Sequence, residues 1–483
     1  MSKQSLAGRA ILALLLTIGF YALALAIAGG LLYGVYLEVA YSRHIVIKPT
    51  IFAVFAAAVI LWSILPRIDR FVPPGPLLAE ERYPDLFAVI RDLAARTEQK
   101  MPADVYLAPE VNAWVAQRGG LVGIGSRRVM GIGLPLLESV TVPQFRAIIA
   151  HEFGHYHGGD TALGPWIYKT RQTIWRTIEN LIRSQATWLH KPFLWYGKFF
   201  MRVTQSISRA QERAADQLAA KIAGARNMMD ALVATHRAGA AYESYWATEV
   251  VPVLANGYRP PIAAGLTEFM RSEAVDKQLD DLVKLELTEG QGDVYDSHPP
   301  LRERLAVLEN LPADTPDAGA PLASTLLGDL RTAEDELLRA ISLTISTLTA
   351  IDWKDTASKV FEPVWRERAS KHAAALRQLT FGNMPGNLES LGRLAVTMQL
   401  AHEPREDVLQ DLETVLACAL ATRLVDDGWV CDASLGKPVT MTMGDSLMEP
   451  FALVRARVHG EIADDAWMTV CQTMGLADRT MSS

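Results

Sequence analysis

Two long apolar runs dominate the N-terminal part of the chain. Ile11 to Leu37 contains no charged residue and is long enough to cross a bilayer with some tilt. Pro49 to Leu65 is a second apolar run, at the short end of the spanning range. The pattern therefore predicts a transmembrane helical hairpin within residues 1–72. A signal peptide is the alternative for the first run, which is roughly twice the usual apolar length. A buried helix of a soluble domain is the alternative for the second.

Basic residues flank the two apolar runs unevenly. Four lie at the outer ends of the hairpin and two lie in its connection: Lys3, Arg9, Arg67 and Arg70 outside, Arg43 and Lys48 inside. The positive-inside rule then predicts a two-span membrane protein whose two ends, and all that follows them, lie in the cytoplasm.

Residues 73–311 mix helical and strand-like patterns. Leu86 to Ala95 has apolar residues at helical spacing, and Ala103 to Ala108 is predicted to be a short strand. Leu121 to Gly125 and Val129 to Leu134 predict a glycine-rich β-hairpin. We expect a domain of mainly α, α+β class with a small β-sheet, whose edge can bind an extended peptide.

Residues Pro165 to Arg209 are rich in basic and aromatic side chains. Eight Lys or Arg residues and a single acid, Glu179, are interleaved with four tryptophans and three phenylalanines. The charges are too dense for a transmembrane helix, whereas this mixture is typical of a segment on an anionic membrane surface. A helix pair with a solvated basic face and an aromatic core face is the alternative. A lid over a catalytic cleft is another.

The C-terminal third has a different character. Residues 312–324 are rich in Pro, Ala, Asp and Thr and are predicted to be a linker. In residues 325–483 acids outnumber bases, and Thr325 to Leu379 has a helical pattern. Lys437 to Phe451 predicts two strands around a Gly-Asp turn, and Asp464 to Met474 predicts a helix. We expect an acidic helical and α+β region without a catalytic site, which offers a surface for a protein partner.

Overall composition narrows the class of protein further. The 483 residues carry a net charge of −7, so no nucleic-acid partner is expected despite the local basic segment. The three cysteines are an odd number in no metal-binding spacing. They are interpreted as packed free thiols of a reducing compartment.

Candidate chemistry lies in AIIAHEFGHYHGGD, residues 147–160. His151 and His155 are four residues apart, so on a helix both imidazoles lie on one face and can bind one metal ion. Glu152 lies beside that face, where it can take a proton from a metal-bound water. Thr141 and Val142 precede Pro143, which predicts the start of this helix.

A catalytic zinc site needs a third protein ligand. In SRAQERAAD, residues 208–216, Glu212 lies on a helical stretch with Asp216 one turn further on. Glu212 can reach the metal while Asp216 hydrogen-bonds a ligand histidine and fixes its tautomer. An ordinary exposed helix is the alternative for this stretch taken alone.

Four segments, in this order, resemble the membrane zinc metallopeptidases that include HtpX and the type I CAAX prenyl endopeptidases. They are NAWV at 112–115, AHEFGHYHGGD at 150–160, SRAQERAAD at 208–216 and SHPPLRERL at 297–305. The similarity covers about residues 76–311. It implies a gluzincin (zincin-like) fold, one Zn²⁺ per chain, endopeptidase activity and a bacterial inner membrane.

The resemblance also implies a role for each matching residue. His151, His155 and Glu212 would ligate zinc, Glu152 would be the general base, and Asp216 would hold a ligand histidine in place.

On the substrate side, the resemblance implies that Asn112 and Ala113 lie by the substrate strand. His298 would stabilise the tetrahedral oxyanion, and Arg304 is interpreted as structural. Many members of the family have two further transmembrane helices between the zinc motifs, and this chain lacks them. A prenyl-peptide substrate is therefore not expected.

The sequence thus predicts a membrane-anchored zinc endopeptidase that hydrolyses membrane or unfolded proteins in contact with membrane lipid. The alternative is a catalytically silent or latent zinc-containing membrane scaffold, or an adaptor that acts through its C-terminal region.

Overall fold

The computed structural model describes residues 3–42, 44–65, 71–119, 125–156, 164–185, 188–290, 299–312, 319–398 and 406–482. Within them the chain is mainly helical with small sheets, which confirms the predicted fold class. The chain divides into two compact units. The first comprises Met1–Gly239 and Asp280–Ile341, and the second Ala240–Leu279 and Ser342–Ser483. The predicted domain boundaries at residues 72, 311 and 324 stay predictions.

Along the N-terminal half of the chain, helices precede and follow the three strands of one sheet. The helices are α1 (Lys3–Tyr41), α2 (Ile47–Ile64), α3 (Pro84–Arg96), α4 (Leu134–Ser139), α5 (Val142–Gly154), α6 (Gly164–Arg183) and α7 (His190–Ala223). The strands are β1 (Asp104–Ala108), β2 (Ala113–Arg118) and β3 (Arg127–Gly133).

The remaining chain is again mostly helical. Its helices are α8 (Ala225–Tyr245), α9 (Val251–Ala255), α10 (Ile262–Arg271), α11 (Glu273–Glu289), α12 (Leu301–Leu308), α13 (Leu330–Ile341), α14 (Leu343–Ser346), α15 (Glu362–Lys371), α16 (Ala373–Leu376), α17 (Leu388–Thr397), α18 (Glu406–Asp426), α19 (Pro450–Val458) and α20 (Asp464–Thr473). Its strands are β4 (Tyr258–Arg259), β5 (Thr349–Ala350), β6 (Val430–Asp432), β7 (Thr440–Met443) and β8 (Ser446–Met448).

Helices α1 and α2 contain the two predicted apolar runs. Ile11–Tyr41 and Ile47–Ile64 are long and apolar enough, by length and composition, to cross a membrane. Helices α6 and α7 pack against them around a shared core that includes Phe20, Ile60 and Phe193. Residues that looked only basic and aromatic in sequence therefore form a helical hairpin packed on the two apolar helices.

Polar contacts fix the same four helices together. The hydroxyls of Thr17 on α1 and Thr170 on α6 are 3.2 Å apart, and both residues are buried. The Tyr196 hydroxyl on α7 donates to the Leu16 carbonyl at 2.6 Å. Arg176 on α6 donates through Nε to the carbonyl of Ser63 at 2.8 Å, at the end of α2. Buried backbone oxygens and hydroxyls in this bundle are thereby satisfied.

The sheet of the first unit has the order β1-β3-β2. β1 runs parallel to β3, and β2 runs antiparallel to it. The predicted strand at 103–108 is confirmed as β1. The predicted pairing of 121–125 with 129–134 is wrong, because β1 and β2 occupy the two edges of β3. The antiparallel partner of β3 is Ala113–Arg118, and residues 120–124 lie outside the described chain.

The second unit has a core of its own. Phe381, Leu412 and Trp467 are among its fully buried side chains. β6, β7 and β8 form an antiparallel sheet, with β7 and β8 joined at Gly444 and Asp445 as the Gly-Asp turn predicted. Helix α20 confirms the predicted terminal helix.

Candidate metal centre

Helix α5 begins at a capping box and carries the first two metal-ligand candidates. The backbone N–H of Thr141 donates to Gln144 Oε1 at 2.8 Å, and Pro143 occupies the first turn. Phe145 and Phe153 are fully buried, which holds the helix in the core. His151 is buried on the same helix, and His155 lies at its C-terminal end.

The start of α5 is paired to a much later part of the chain. The N–H of Val142 donates to Pro321 O at 2.9 Å, and the N–H of Ala323 donates to Val140 O at 2.8 Å. The end of the segment predicted as a linker therefore supports the metal helix from outside.

Helix α7 brings the third candidate next to the two histidines. It crosses α5 where Gly154 meets Ala215, and a Cβ on Gly154 would lie only 2.9 Å from the Ala215 Cα atom. Glycine permits this close approach because it has no side chain. The crossing places Glu212, which is 5% exposed, beside His151 and His155.

The three candidate ligands converge on one point. His151 Nε2 lies 3.6 Å from Glu212 Oε2, and His155 Nε2 lies 3.7 Å from Glu212 Oε1. One ligand atom from each residue lies within 4.8 Å of the others. Atoms bound tetrahedrally at roughly 2.0–2.1 Å from zinc lie about 3.4 Å apart, and two histidines with a carboxylate form a known catalytic zinc set. The donor set and its spacing therefore fit zinc.

A buried carboxylate fixes the orientation of His151. Asp216 is 1% exposed, and its Oδ1 lies 2.9 Å from His151 Nδ1. Arg304 donates to both Asp216 oxygens, through Nε at 2.9 Å and Nη2 at 2.6 Å. Burial raises the pKa of Asp216, but hydrogen bonds from His151 and Arg304 outweigh burial and lower it to about 2. Because Nδ1 faces the Asp216 carboxylate, Nε2 is the ring nitrogen of His151 that faces Glu212.

Arg304, which the sequence analysis interprets as structural, is the main charged partner of Asp216. The sequence held a signal for this buried ion pair. Leu301, Arg304 and Leu308 recur at helical spacing, and all three are buried in α12. A charged residue on the buried face of a helix indicates a charged partner in the core.

Residues 80–311 match the model of peptidase family M48. The matched region covers a little under half of the chain. The match confirms the resemblance to the HtpX and CAAX prenyl peptidases, and M48 peptidases are metallopeptidases. No curated protein and no solved structure matches the chain. The group of His151, His155 and Glu212 lies inside the M48 region, on α5 and α7.

The predicted general base lies between the two histidines. Glu152 follows His151 on α5 and is partly buried. Its charge acts on the neighbouring Tyr156, whose pKa is raised to about 12 by burial first and by Glu152 in addition, against the opposing charge of Arg128. Tyr156 is therefore a neutral hydrogen-bond donor at physiological pH.

Among the strands that the structure describes, β2 is an edge strand of its sheet, and it lies near the candidate metal centre. The N–H of Gly133 donates to Asn112 O at 2.8 Å, so Asn112 and Gly133 form a hydrogen-bonded pair. Along two antiparallel strands, hydrogen-bonded and non-hydrogen-bonded residue pairs alternate. Ala113 and Val115 are in non-hydrogen-bonded pairs, so their N–H and C=O groups point away from β3. The Tyr156 hydroxyl donates to Val115 O at 2.8 Å. The end of α5 thus contacts the free edge of β2.

The predicted substrate residues are placed as follows. Ala113 is buried at the first position of β2, and the exposed Asn112 precedes it. His298 lies outside the described residues, as do His157 and Asp160 of the first motif.

Proposed function

We propose that the chain is a membrane-anchored zinc endopeptidase that hydrolyses peptide bonds in membrane or unfolded proteins. The observation that carries the proposal is the convergence of His151, His155 and Glu212 beside Glu152. A site that only stabilised the fold would have no use for a carboxylate base next to the ligands, so Glu152 favours an enzyme over a structural scaffold.

The proposed chemistry assigns a task to each residue. Zinc held by His151, His155 and Glu212 would supply Lewis acidity to the attacking water and the substrate carbonyl. Glu152 accepts a proton from that water and then delivers it to the leaving amine. Asp216 keeps His151 in the tautomer that binds metal. His298 is proposed to stabilise the oxyanion of the tetrahedral intermediate.

The substrate is proposed to bind in extended form along β2. The outward N–H and C=O groups of Ala113, next to Asn112, offer one rung of main-chain hydrogen bonding to a peptide strand. Main-chain pairing of this kind selects for an unfolded or extended segment rather than for a particular side chain. This supports unfolded proteins and extended segments of membrane proteins as substrates.

The proposed location follows from α1 and α2. As two membrane spans with their basic flanks inside, they would hold the peptidase region on the cytoplasmic side of a bacterial inner membrane.

The test compares wild type with Glu152→Gln as detergent-purified full chains. Cleavage of a reduced, unfolded protein and bound zinc are both measured, and Glu179→Gln, an exposed position on α6, serves as the matched control. We expect wild type and Glu179→Gln to cut, Glu152→Gln to be inactive, and all three to hold about one zinc per chain. Zinc binding without cleavage by any of them would favour the scaffold, and a chain that binds no zinc would refute the proposal.

A further inference from the structure

Large aromatic side chains are exposed on the α6–α7 hairpin. Trp175, Trp188, Trp195 and Phe199 are between 42% and 69% exposed. Among the side chains that the structure describes, every exposed Trp, Phe or Tyr lies in α1, α2 or this hairpin. The described aromatic side chains of the second unit are buried or partly buried. The exposure is therefore confined to the part of the molecule that contains the two apolar helices.

On α7 these aromatics share one face with basic residues. Trp195, Lys198, Phe199 and Arg202 follow at i, i+3, i+4 and i+7, and all four are exposed. The rings of Trp195 and Phe199 stack at 6.1 Å with 9° between their planes. We call these four residues the α7 stripe. Exposing a stacked pair of large rings to water is unfavourable, so the α7 stripe indicates a surface that contacts a partner.

The opposite face of α7 is fixed on the apolar helices. Phe193 and Phe200 are fully buried in the core shared with α1 and α2. In the turn between α6 and α7, Trp188 stacks on Phe52 of α2 at 6.3 Å. The α7 stripe is thereby fixed beside the two candidate spans, where a membrane would meet it.

We propose that the α7 stripe docks on the anionic phospholipid headgroups next to α1 and α2. Tryptophan prefers the boundary between headgroups and hydrocarbon, and Lys and Arg are attracted to anionic lipid. A second copy of the chain is a less favourable partner, because two α7 stripes in contact would bring the positive charges of Lys198 and Arg202 close together. The aromatic core face expected for a simple helix pair is only half present, since Phe193 and Phe200 point inward while Trp195 and Phe199 point outward.

Helix α7 also sets the distance of the candidate metal centre from the membrane surface. α7 runs from His190 to Ala223 and carries both Arg202 and Glu212. Ten residues of α-helix separate these two, a distance of about 15 Å along the axis. An extended peptide covers 15 Å in about five residues. This step rests on the proposed function: the peptidase would cut best in segments that leave the membrane about five to ten residues from a transmembrane helix.

The docking is tested by spin labels on the full chain in lipid nanodiscs of phosphatidylcholine with phosphatidylglycerol. Phe199→Cys is compared with Lys221→Cys, an exposed position further along α7, and labelled wild type gives the background of the native cysteines. We expect the label at 199 to collide with lipid-soluble oxygen and to be shielded from an aqueous nickel chelate, with the reverse at 221. Equal nickel access at the two positions would overturn the docking.

The spacing is tested with a single-span protein carrying one cleavable segment at about 2, 6, 12 or 30 residues from its span, reconstituted with the peptidase. We expect cleavage to peak at about 6 residues, to be lower at about 12, and to fall several-fold at about 2 and 30. A flat profile would refute the spacing. If the same segment is not cut even as a free peptide, the proposed peptidase function fails instead, and the spin-label result still decides the docking.

Discussion

Replacing Arg304 with leucine tests how much the buried ion pair contributes to the metal centre. Arg304 and Asp216 are both buried, and two hydrogen bonds at 2.6 and 2.9 Å join them. Leucine keeps much of the apolar contact on α12 but leaves the Asp216 carboxylate in the core without its guanidinium partner. The same carboxylate lies against His151, so the loss is transmitted to a proposed metal ligand.

The magnitude follows from the pKa of Asp216. Its fall from 3.8 to about 2 corresponds to a net stabilisation of about 2 kcal/mol, because the interactions with His151 and Arg304 exceed the cost of burial. Removing one partner of a buried pair typically costs about 3–5 kcal/mol, because an uncompensated charge stays behind. We expect Arg304→Leu to lower the free energy of unfolding of the metal-free chain by about 3 kcal/mol. Zinc affinity should fall about 10- to 100-fold, as is usual when the support of a ligand histidine is removed.

The assay is denaturant unfolding of the metal-free chain, together with competition for zinc by a coloured chelator. The matched control is Arg366→Leu, because Arg366 also donates to both oxygens of one carboxylate, that of Asp426, at 3.3 and 2.7 Å. That pair is about half exposed on the arginine side, so its loss should cost about 1 kcal/mol or less and leave zinc affinity unchanged. Equal losses in the two variants would refute the reasoning from burial.

Three further predictions concern the same site. Gly154→Ala should weaken zinc binding, because the added Cβ meets Ala215 and pushes α5 from α7, and chelator competition measures this. Tyr156→Phe should raise kcat/KM for peptides about 2- to 10-fold by freeing the Val115 carbonyl for substrate, and an unchanged KM would contradict it. The stabilisation from Asp216 is present above about pH 4 and is lost as the pH falls towards about 2, because the folded pKa is the lower one. Asp216→Asn should remove that part of the acid sensitivity of unfolding.

Local spacing explains why the proximity of the candidate metal ligands was predictable from the sequence. His151 and His155 share a helix face because they are four residues apart, and Asp216 follows Glu212 at the same interval. The start of α5 at Thr141 and Pro143 depends only on neighbouring residues. Such features need no knowledge of the rest of the fold, so the structure places these residues together as expected.

Features that depend on distant contacts were not predictable in the same way. The partner of β3 was misassigned because its two edges are taken by β1 and β2, and no local pattern specifies this pairing. The helical spacing of Leu301, Arg304 and Leu308 indicates a buried arginine, but its partner Asp216 is identified only once α12 packs on α7. In the α6–α7 hairpin, composition did not reveal which aromatics face the core, because Phe199 and Phe200 are neighbours that point to opposite sides.

The backbone hydrogen bond between Val142 and Pro321 means that the start of α5 is supported only after residue 321 has been synthesised. The chain is made from its N-terminus, so α1 and α2, the two histidines and Glu212 all precede residue 321. At roughly 5–20 residues per second, the segment that supports the start of α5 follows the second histidine by on the order of 10 s. If α1 and α2 span a membrane as proposed, they can enter it before the proposed peptidase region is complete. A nascent chain, or one that ends at Leu311, would hold every proposed metal ligand yet lack this support for the helix that carries two of them.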